Sequence, residues 1–408
     1  MEEIVTQILV LLSVKSLVRF RSVCKAWRSI FSDPAFIRAH LHHSTAKCQD
    51  DTCFTISPHT LAYRLPGELN RWPTTFSTHL RFYQWRLPPQ GKRHRPAAAK
   101  FLHDKDFPYQ FAQVLHFAHC DGLVFAPTNT KLFVFNPATR DAITLPTTGR
   151  GNLTPDRRTA CYCNGIGFDR RTGKYKVVQA FYRDVTGHTS MGMDVFTLCS
   201  RRSRVAGDGG WWREMASDPP YPLYRCQTAV TIDVYMSWRL DANNIASSSD
   251  APWPRGLVHL SLEDEAFGIT MLPDKLENED GFMMDVLRGG RELCLTAFTS
   301  ETVLTIWTLA VAEEGVESSE WARCYLVQSS FLCHTLALPR RVHDRIILWR
   351  DCTIYSYDME THKMTTPCDM GRMRYQGRRE RVWEDLYFVN VNPYTESLVP
   401  VNNTHNLV

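Results

Sequence analysis

From Ile4 to Leu12 the apolar residues fall at positions 4, 5, 8, 9, 11 and 12, the spacing of one helical face. Ser13 follows as a candidate cap for a second helix. Its apolar positions Leu17, Phe20, Val23, Trp27 and Ile30 recur every three or four residues, with basic residues between them. Asp33-Pro34 closes that helix and opens a third, Pro34 to His40. Proline cannot continue a helix but suits its first turn. Three helices within about 40 residues cannot bury their own apolar faces, so this module needs a partner or the rest of the chain.

Residues 43–110 lack clear periodicity and hold seven prolines: Pro58, Pro66, Pro73, Pro88, Pro89, Pro96 and Pro108. They read as a linker or irregular region with one possible strand, His79 to Leu87. From residue 111 to the end the pattern becomes short β runs separated by turn residues. Val114 to His119 leads into Asp121-Gly122, a hairpin signal, and returns as Leu123 to Ala126. Leu132 to Phe135 meets Asn136-Pro137-Ala138-Thr139-Arg140 and leaves as Ile143 to Pro146. Gly165 to Phe168 turns through Asp169 to Lys174 and leaves as Tyr175 to Phe181. Asn136 and Asp169 suit turns by bonding their own backbone, Pro137 fixes the entry to the bend, and Arg140 stabilises a turn.

One theme recurs: a β run, a polar turn, then a second run often carrying Trp or Leu-Pro. It appears at 132–146, 194–212, 257–273, 303–321, 346–364 and 389–401, with starts 62, 63, 46, 43 and 43 residues apart. The last three intervals are those of propeller blades; the first two need insertions. The expected fold is therefore α+β and multidomain: a small three-helix module over 1–42, then an all-β, propeller-like domain of about six blades over 111–408. An irregular sandwich is the other arrangement this pattern allows.

Charge adds one point. The chain carries +4 overall. Residues 1–42 hold Lys15, Arg19, Arg21, Lys25, Arg28 and Arg38 against Glu2, Glu3 and Asp33, a net +3, and the remainder holds 41 basic and 40 acidic residues. The excess reads either as a solvated face or as a surface that steers an acidic partner. Thirteen cysteines are spread from Cys24 to Cys368 without repeated spacing. The acidic start Met1-Glu2-Glu3 and the short run Ile8 to Leu12 do not make a secretory signal, so reduced thiols in the cytoplasm or nucleus are expected. Val303 to Ala312 is far short of the roughly 20 residues of a membrane helix, and no membrane partner is expected.

Catalytic signatures are missing. No phosphate-binding loop, nucleophile elbow or HExxH pair occurs, and Gly165-Ile166-Gly167 opens a hairpin and not a dinucleotide site. His40, His42, His43, Cys48 and Cys53 are zinc-type residues without the paired spacing of a finger, so no metal or other cofactor is expected. Cys161 and Cys163 read as core thiols. Lys92-Arg93-His94-Arg95 reads as a solvated basic loop over a nuclear-import patch. The near-neutral β region has no basic stripe for nucleic acid. Trp211, Trp212, Tyr221 and Tyr224 lie near Gly- or Pro-rich loops and are candidates for target contact or for the core.

Several motifs resemble one family. Ser13-Val14-Lys15-Ser16-Leu17, Arg19 to Arg28 with its Val23-Cys24-Lys25 and Trp27-Arg28, and Ser32 to Ile37 look like the F-box of plant F-box proteins. Cys120 to Val124, Asn136 to Arg140, Gly167 to Asp169 and Tyr175 to Val178 resemble the F-box-associated domain of the same proteins. The resemblance implies a substrate-recognition subunit of an SCF-type cullin–RING ubiquitin ligase that catalyses nothing itself. Its partners would be a Skp-type adaptor and a target protein held by the β-domain. The adaptor-binding positions it implies are Ile4, Ile8, Leu12, Leu17, Val23, Cys24 and Trp27. The family's Leu-Pro lead has no counterpart here, and Ser13 stands where the family usually has proline, so weaker docking or a start further upstream is expected. The alternatives are an F-box-derived propeller without ligase docking, and a propeller enzyme or sugar-binding protein.

Overall fold

The computed structural model describes residues 2–50, 53–61, 76–87, 98–148, 163–183, 190–198, 211–241, 254–276, 281–287, 292–310, 320–337, 345–377, 383 and 386–401. Four helices open the chain: α1 (Glu2–Val10), α2 (Val14–Phe20), α3 (Lys25–Ile30) and α4 (Pro34–Asp50). The expected second helix is thus broken in two. Cys24 adopts an extended backbone and its Sγ accepts the Trp27 N–H at 3.4 Å, capping α3. Ser13 does not cap with its side chain: its hydroxyl pairs with that of Ser16 at 3.2 Å, and its carbonyl accepts the Leu17 N–H. Asp33 does cap, accepting the Ala35 N–H at 2.6 Å and the Phe36 N–H at 3.3 Å. Nothing after His40 breaks α4, which runs ten residues further than expected, to Asp50. Leu9, Val14, Leu17, Phe31 and Phe36 form the helical core, together with Leu398 from the far end of the chain.

The described residues of the rest form a ring of six sheets, antiparallel throughout except where the two-residue strand Arg374–Tyr375 joins the first in parallel. The first blade begins with β1 (Cys53–Thr60), β2 (His79–Arg86) and β3 (Ala98–Asp106). Blade two is β4 (Ala118–Cys120), β5 (Leu123–Pro127), β6 (Leu132–Asn136) and β7 (Asp141–Thr144). Blade three is β8 (Asn164–Asp169), β9 (Lys174–Tyr182), β10 (Met191–Leu198) and β11 (Arg213–Glu214). Blade four is β12 (Val230–Ile232), β13 (Tyr235–Arg239), β14 (Gly256–Ser261) and β15 (Phe267–Met271). Blade five is β16 (Phe282–Leu287), β17 (Glu292–Ser300), β18 (Val303–Ala310) and β19 (Ala322–Gln328), and blade six is β20 (His334–Ala337), β21 (Arg345–Arg350), β22 (Thr353–Asp358) and β23 (Lys363–Asp369). The chain then returns to blade one as β24 (Arg374–Tyr375) and β25 (Leu386–Pro393), giving the order β24-β3-β2-β1-β25. Pairing of β1 with β25, from Phe54 against Pro393 onward, joins the two ends of the domain and closes the ring.

The described residues of 43–110 supply three strands of the closing blade, and the possible strand His79 to Leu87 is β2. β1 escaped notice because nearly every one of its residues is buried, so it shows no alternation. Pro58 is tolerated because β1 pairs with β2 only as far as Ile56, and bonding on that side resumes only where the Thr60 carbonyl accepts the Ser77 N–H.

The recurring theme marks real blade parts. The runs starting at 132, 194, 257 and 303 fall on the third and fourth strands of blades two to five, whereas the run at 346 starts one strand early, on β21. The Leu-Pro and Trp positions meet across blade boundaries. Trp212 Nε1, beside β11, donates to the Pro146 carbonyl beyond β7 at 2.6 Å, and Trp321 Nε1, beside β19, donates to the Met271 carbonyl at the end of β15, also at 2.6 Å. Each indole fastens an outermost strand to the preceding blade. The Asp121-Gly122 hairpin forms between β4 and β5 with φ of 51° and 81°, and a Cβ at Gly122 would lie 2.5 Å from the Thr395 carbonyl oxygen.

Candidate functional site

Two surfaces stand out, at the helical module and on the propeller axis. On α1 and the turn after it, Ile4, Ile8 and Leu11 are 62%, 56% and 59% exposed, while Leu9 is buried. Positions 4, 8 and 11 share one helical face, so an apolar stripe faces water while the opposite side holds the core. Leu11 was absent from the residues implied by resemblance; its spacing from Ile4 and Ile8 is the signal that finds it. Val23 and Cys24 are exposed in the turn before α3. Leu12 is half-buried, and so is Trp27, whose ring lies 5.3 Å from Phe20 and 6.4 Å from Phe31. Leu17 is fully buried. Its side chain packs with Leu9, Val14, Phe31 and Phe36 and holds the helices together.

Of the six basic residues in the module, Lys15, Arg19, Lys25, Arg28 and Arg38 are exposed. Arg21 is not: burial lowers its guanidinium from the ordinary value, an effect opposed by Asp141 of β7, and its Nη2 donates to the Phe31 carbonyl at 3.5 Å.

The segment 394–401, after β25, fastens the helices to the propeller. The Val14 N–H donates to Glu396 at 3.2 Å, Leu398 enters the helical core, and Val399 and Val401 enter the core of blades two and three. Ile37 and Leu41 of α4 and Ala138 of the β6–β7 turn complete the contact. Asn136 accepts the Ala138 and Thr139 N–H groups, as the turn reading expected, and its Nδ2 also donates to the Ser397 and Val399 carbonyls. Arg140 occupies the left-handed position of that turn at φ 68°.

On the axis lies a cavity of about 620 Å³. Its walls come from blades one, four, five and six and from the segment leading into β4. The Thr228 hydroxyl, just before β12, donates to the His116 carbonyl at 2.6 Å, so the segments entering blades two and four meet there. His334 stacks on Trp349 with ring centroids 4.8 Å apart, and its Nδ1 lies 3.1 Å from Asp285 Oδ1. The other Asp285 oxygen accepts the Thr335 N–H at 3.0 Å, which fixes the carboxylate. His116 stands edge-on to Phe388 at 5.1 Å and lies 6.1 Å from His334. Its ring is open to the cavity yet surrounded by protein; that enclosure, with His334 adding to it, lowers its pKa well below the ordinary value. The Arg239 guanidinium packs over Phe282 at 4.4 Å and Tyr224 at 4.7 Å. The cavity is lined by residues of β12, β16, β20 and β25, whereas the segment 394–401, on which the helices pack, runs against the β4–β5 turn at Gly122.

The remaining candidates separate. Tyr224 reaches the cavity, Tyr221 packs in the core of blades three and four, and Trp211 is exposed. Cys161 and the 92–95 basic cluster lie outside the described residues. Cys163 is buried, its thiol 3.1 Å from the Tyr224 carbonyl. His40 is buried against the Leu12 carbonyl at 2.9 Å, and Cys53 accepts the Gln84 amide in β1, so these two zinc-type residues serve separate cores. Asp169, fully buried, accepts from the Thr172 N–H and hydroxyl and pairs with the buried Lys176 at 2.7 Å. Burial raises the Asp169 pKa, but the bonds from Lys176 and Thr172 outweigh it and hold the carboxyl below its ordinary value.

A ring of six blades closed between its two ends, carrying a helical module with an exposed apolar stripe, defines a propeller protein with an N-terminal helical module. The family model described as the F-box associated beta propeller domain matches residues 75–336, and the F-box-like model matches residues 2–43. The chain belongs to the F-box-associated propeller family of F-box proteins, of the kind found in plants. An F-box protein of Arabidopsis thaliana is 27% identical over 244 residues, 58% of this chain and 52% of that protein. A second is 26% identical over 176 residues, 43% of this chain and 38% of that protein. This chain thus spans about half or less of the length of these two relatives. An F-box/kelch-repeat protein of the same plant is 22% identical over 364 residues, 85% of this chain and 76% of the relative. Among solved structures, a chain of a nidogen/laminin complex has a TM-score of 0.40 at 9% identity, covering 85% of this chain and 99% of its own, a likeness that carries no argument.

Proposed function

We propose that this protein is the target-recognition subunit of an SCF-type ubiquitin ligase, docking on a Skp-type adaptor through its helices and holding a target on the propeller. It would itself catalyse nothing; its contribution would be to raise the effective concentration of target lysines at the ubiquitin carrier. The observation that carries this reading is the stripe Ile4, Ile8 and Leu11, solvent-facing on a module whose other face is already filled. Exposed aliphatic side chains at helical spacing suit helix-to-helix association. The exposed basic residues of the same module would favour encounter with an acidic adaptor surface.

Co-purification of the full chain with a Skp-type adaptor tests the reading. The wild type is expected to form a stable complex, and an Ile4→Asp/Ile8→Asp variant to lose it with its melting temperature unchanged, because both positions are exposed. A folded wild type that leaves the adaptor unbound overturns the docking role, and an unaffected double variant overturns the assignment of the stripe.

A further inference from the structure

We infer that the axial cavity binds a small uncharged aromatic molecule that carries an amide-like hydrogen-bonding group. The volume, about 620 Å³, is that of pockets that enclose small organic ligands. The walls are mostly apolar, with Val114, Phe282, Met284, Leu336 and Phe388 among the lining residues. Water against such walls makes few hydrogen bonds, so an apolar ring that displaces it gains affinity. One wall is flat: His334 stacks on Trp349 at 4.8 Å with 25° between their planes. His116 and Phe388, edge-on to one another at 5.1 Å, also line the cavity. Rings of this kind accept a further ring face-on or edge-on.

The charged groups among the described lining residues are already engaged by the protein. Arg225 Nε lies 3.6 Å from the Asp241 carboxylate. Arg239 packs over Tyr224 and Phe282, and its Nη1 donates to the Phe282 carbonyl at 3.3 Å. One Asp285 oxygen meets His334 Nδ1, and the other accepts the Thr335 N–H. Burial lowers His116 and His119, so both are neutral near neutral pH. An ion entering the cavity would lose hydration without meeting an unengaged counter-charge, a cost that an uncharged ring escapes. Asn390 and Gln227, which also line it, are turned to the protein: Asn390 holds the Phe117 N–H and the Leu115 carbonyl, and Gln227 accepts the Arg239 N–H. His116 differs. Its ring is open to the cavity, and among the described residues no protein group hydrogen-bonds its nitrogens. A neutral imidazole presents one N–H donor and one acceptor, which an amide, itself donor and acceptor, complements.

The site is separate from the helical stripe, and its test needs no adaptor, so either reading can fail alone. Isothermal titration of the full chain near neutral pH compares naphthalene-2-carboxamide with naphthalene-2-carboxylate, which share a shape and differ in charge. The amide is expected to bind one-to-one, at least about tenfold tighter than the carboxylate, about 1.4 kcal/mol. His116→Phe keeps a ring but removes both nitrogens, and is expected to weaken the amide about tenfold. A carboxylate that binds as tightly as the amide overturns the preference for an uncharged ligand. An amide that stays unbound up to its solubility overturns the site, and unchanged affinity in His116→Phe overturns the contact with His116. Because the amide–carboxylate comparison is made on the wild type, it decides even where the variant fails to fold.

Discussion

The side chain of Asn136 donates to the main-chain carbonyl of Val399 at 2.8 Å, across 263 positions of sequence. A second donation, to Ser397 at 3.0 Å, comes from the same nitrogen, while the amide oxygen accepts two N–H groups of its own turn. One buried side chain thus closes a local bend and holds the segment to which the helices attach.

This dual role separates two substitutions. Related turns place Asp169 and Asp358 at the accepting position, so an aspartate satisfies the turn. Asn136→Asp would nevertheless point a carboxylate at two carbonyls in a fully buried site. We expect it to cost at least as much as Asn136→Ala, about 2–4 kcal/mol, because a buried group left without a donor keeps its desolvation penalty. Urea denaturation of both variants checks the order.

Leu398 is 1% exposed and packs among the helices, not the blades. Leu398→Ala should cost about 2–4 kcal/mol of local stability, from lost burial and the remaining cavity. Hydrogen exchange is expected to quicken in α1, α2 and α4 while β17 and β18 keep their protection. Uniform quickening throughout the ring would contradict this attachment.

His59 sets an acid limit. Its ring is enclosed by Phe76, Phe117 and Phe388, its Nε2 meets Asn390 Nδ2 at 3.1 Å, and burial pushes its pKa down to about 3. The folded form therefore stays neutral where the unfolded form, near 6.5, takes up a proton. Stability should fall by up to about 1.4 kcal/mol per pH unit below about 6.5, levelling near pH 3. His119, also lowered by burial, acts in the same direction. Urea midpoints measured at neutral and mildly acidic pH should differ less in His59→Gln, which keeps an acceptor for Asn390 without a titrating group.

The buried Lys176 serves two carboxylates, Asp169 at 2.7 Å and Glu265 at 2.9 Å, besides the Leu262 carbonyl. Lys176→Met would leave Asp169 buried without its cation, at a cost of about 3–5 kcal/mol. The double variant Lys176→Met/Asp169→Asn should regain a large part of that loss, since no charge then remains at the Asp169 position. A double-variant melting temperature no higher than the single would show that the pair is not coupled.

Much of the architecture could be read locally. Helical spacing identified α1, Asp33-Pro34 the start of α4, Asp121-Gly122 the β4–β5 hairpin, and Asn136 and Asp169 turns, because each signal needs only residues close in the chain. The break at Cys24 was hidden by an unbroken three-to-four spacing through Val23 and Trp27; a thiol acting as cap leaves no pattern in hydrophobicity. β1 was hidden by burial on both faces, which removes the alternation that marks a strand.

What the amino-acid order determined alone was the set of parts: short helices with an unfilled face, strands in hairpins, and a Trp and Leu-Pro theme at blade spacing. Tertiary structure decided which parts meet. Pairing of β1 with β25, insertion of Leu398 among the helices, and the gathering of His116, Asp285, His334 and Arg239 around one cavity join positions tens to hundreds of residues apart. Such contacts are chosen by the free energy of closing the ring and burying side chains on both sides of every blade, a property of the whole chain that no local window contains.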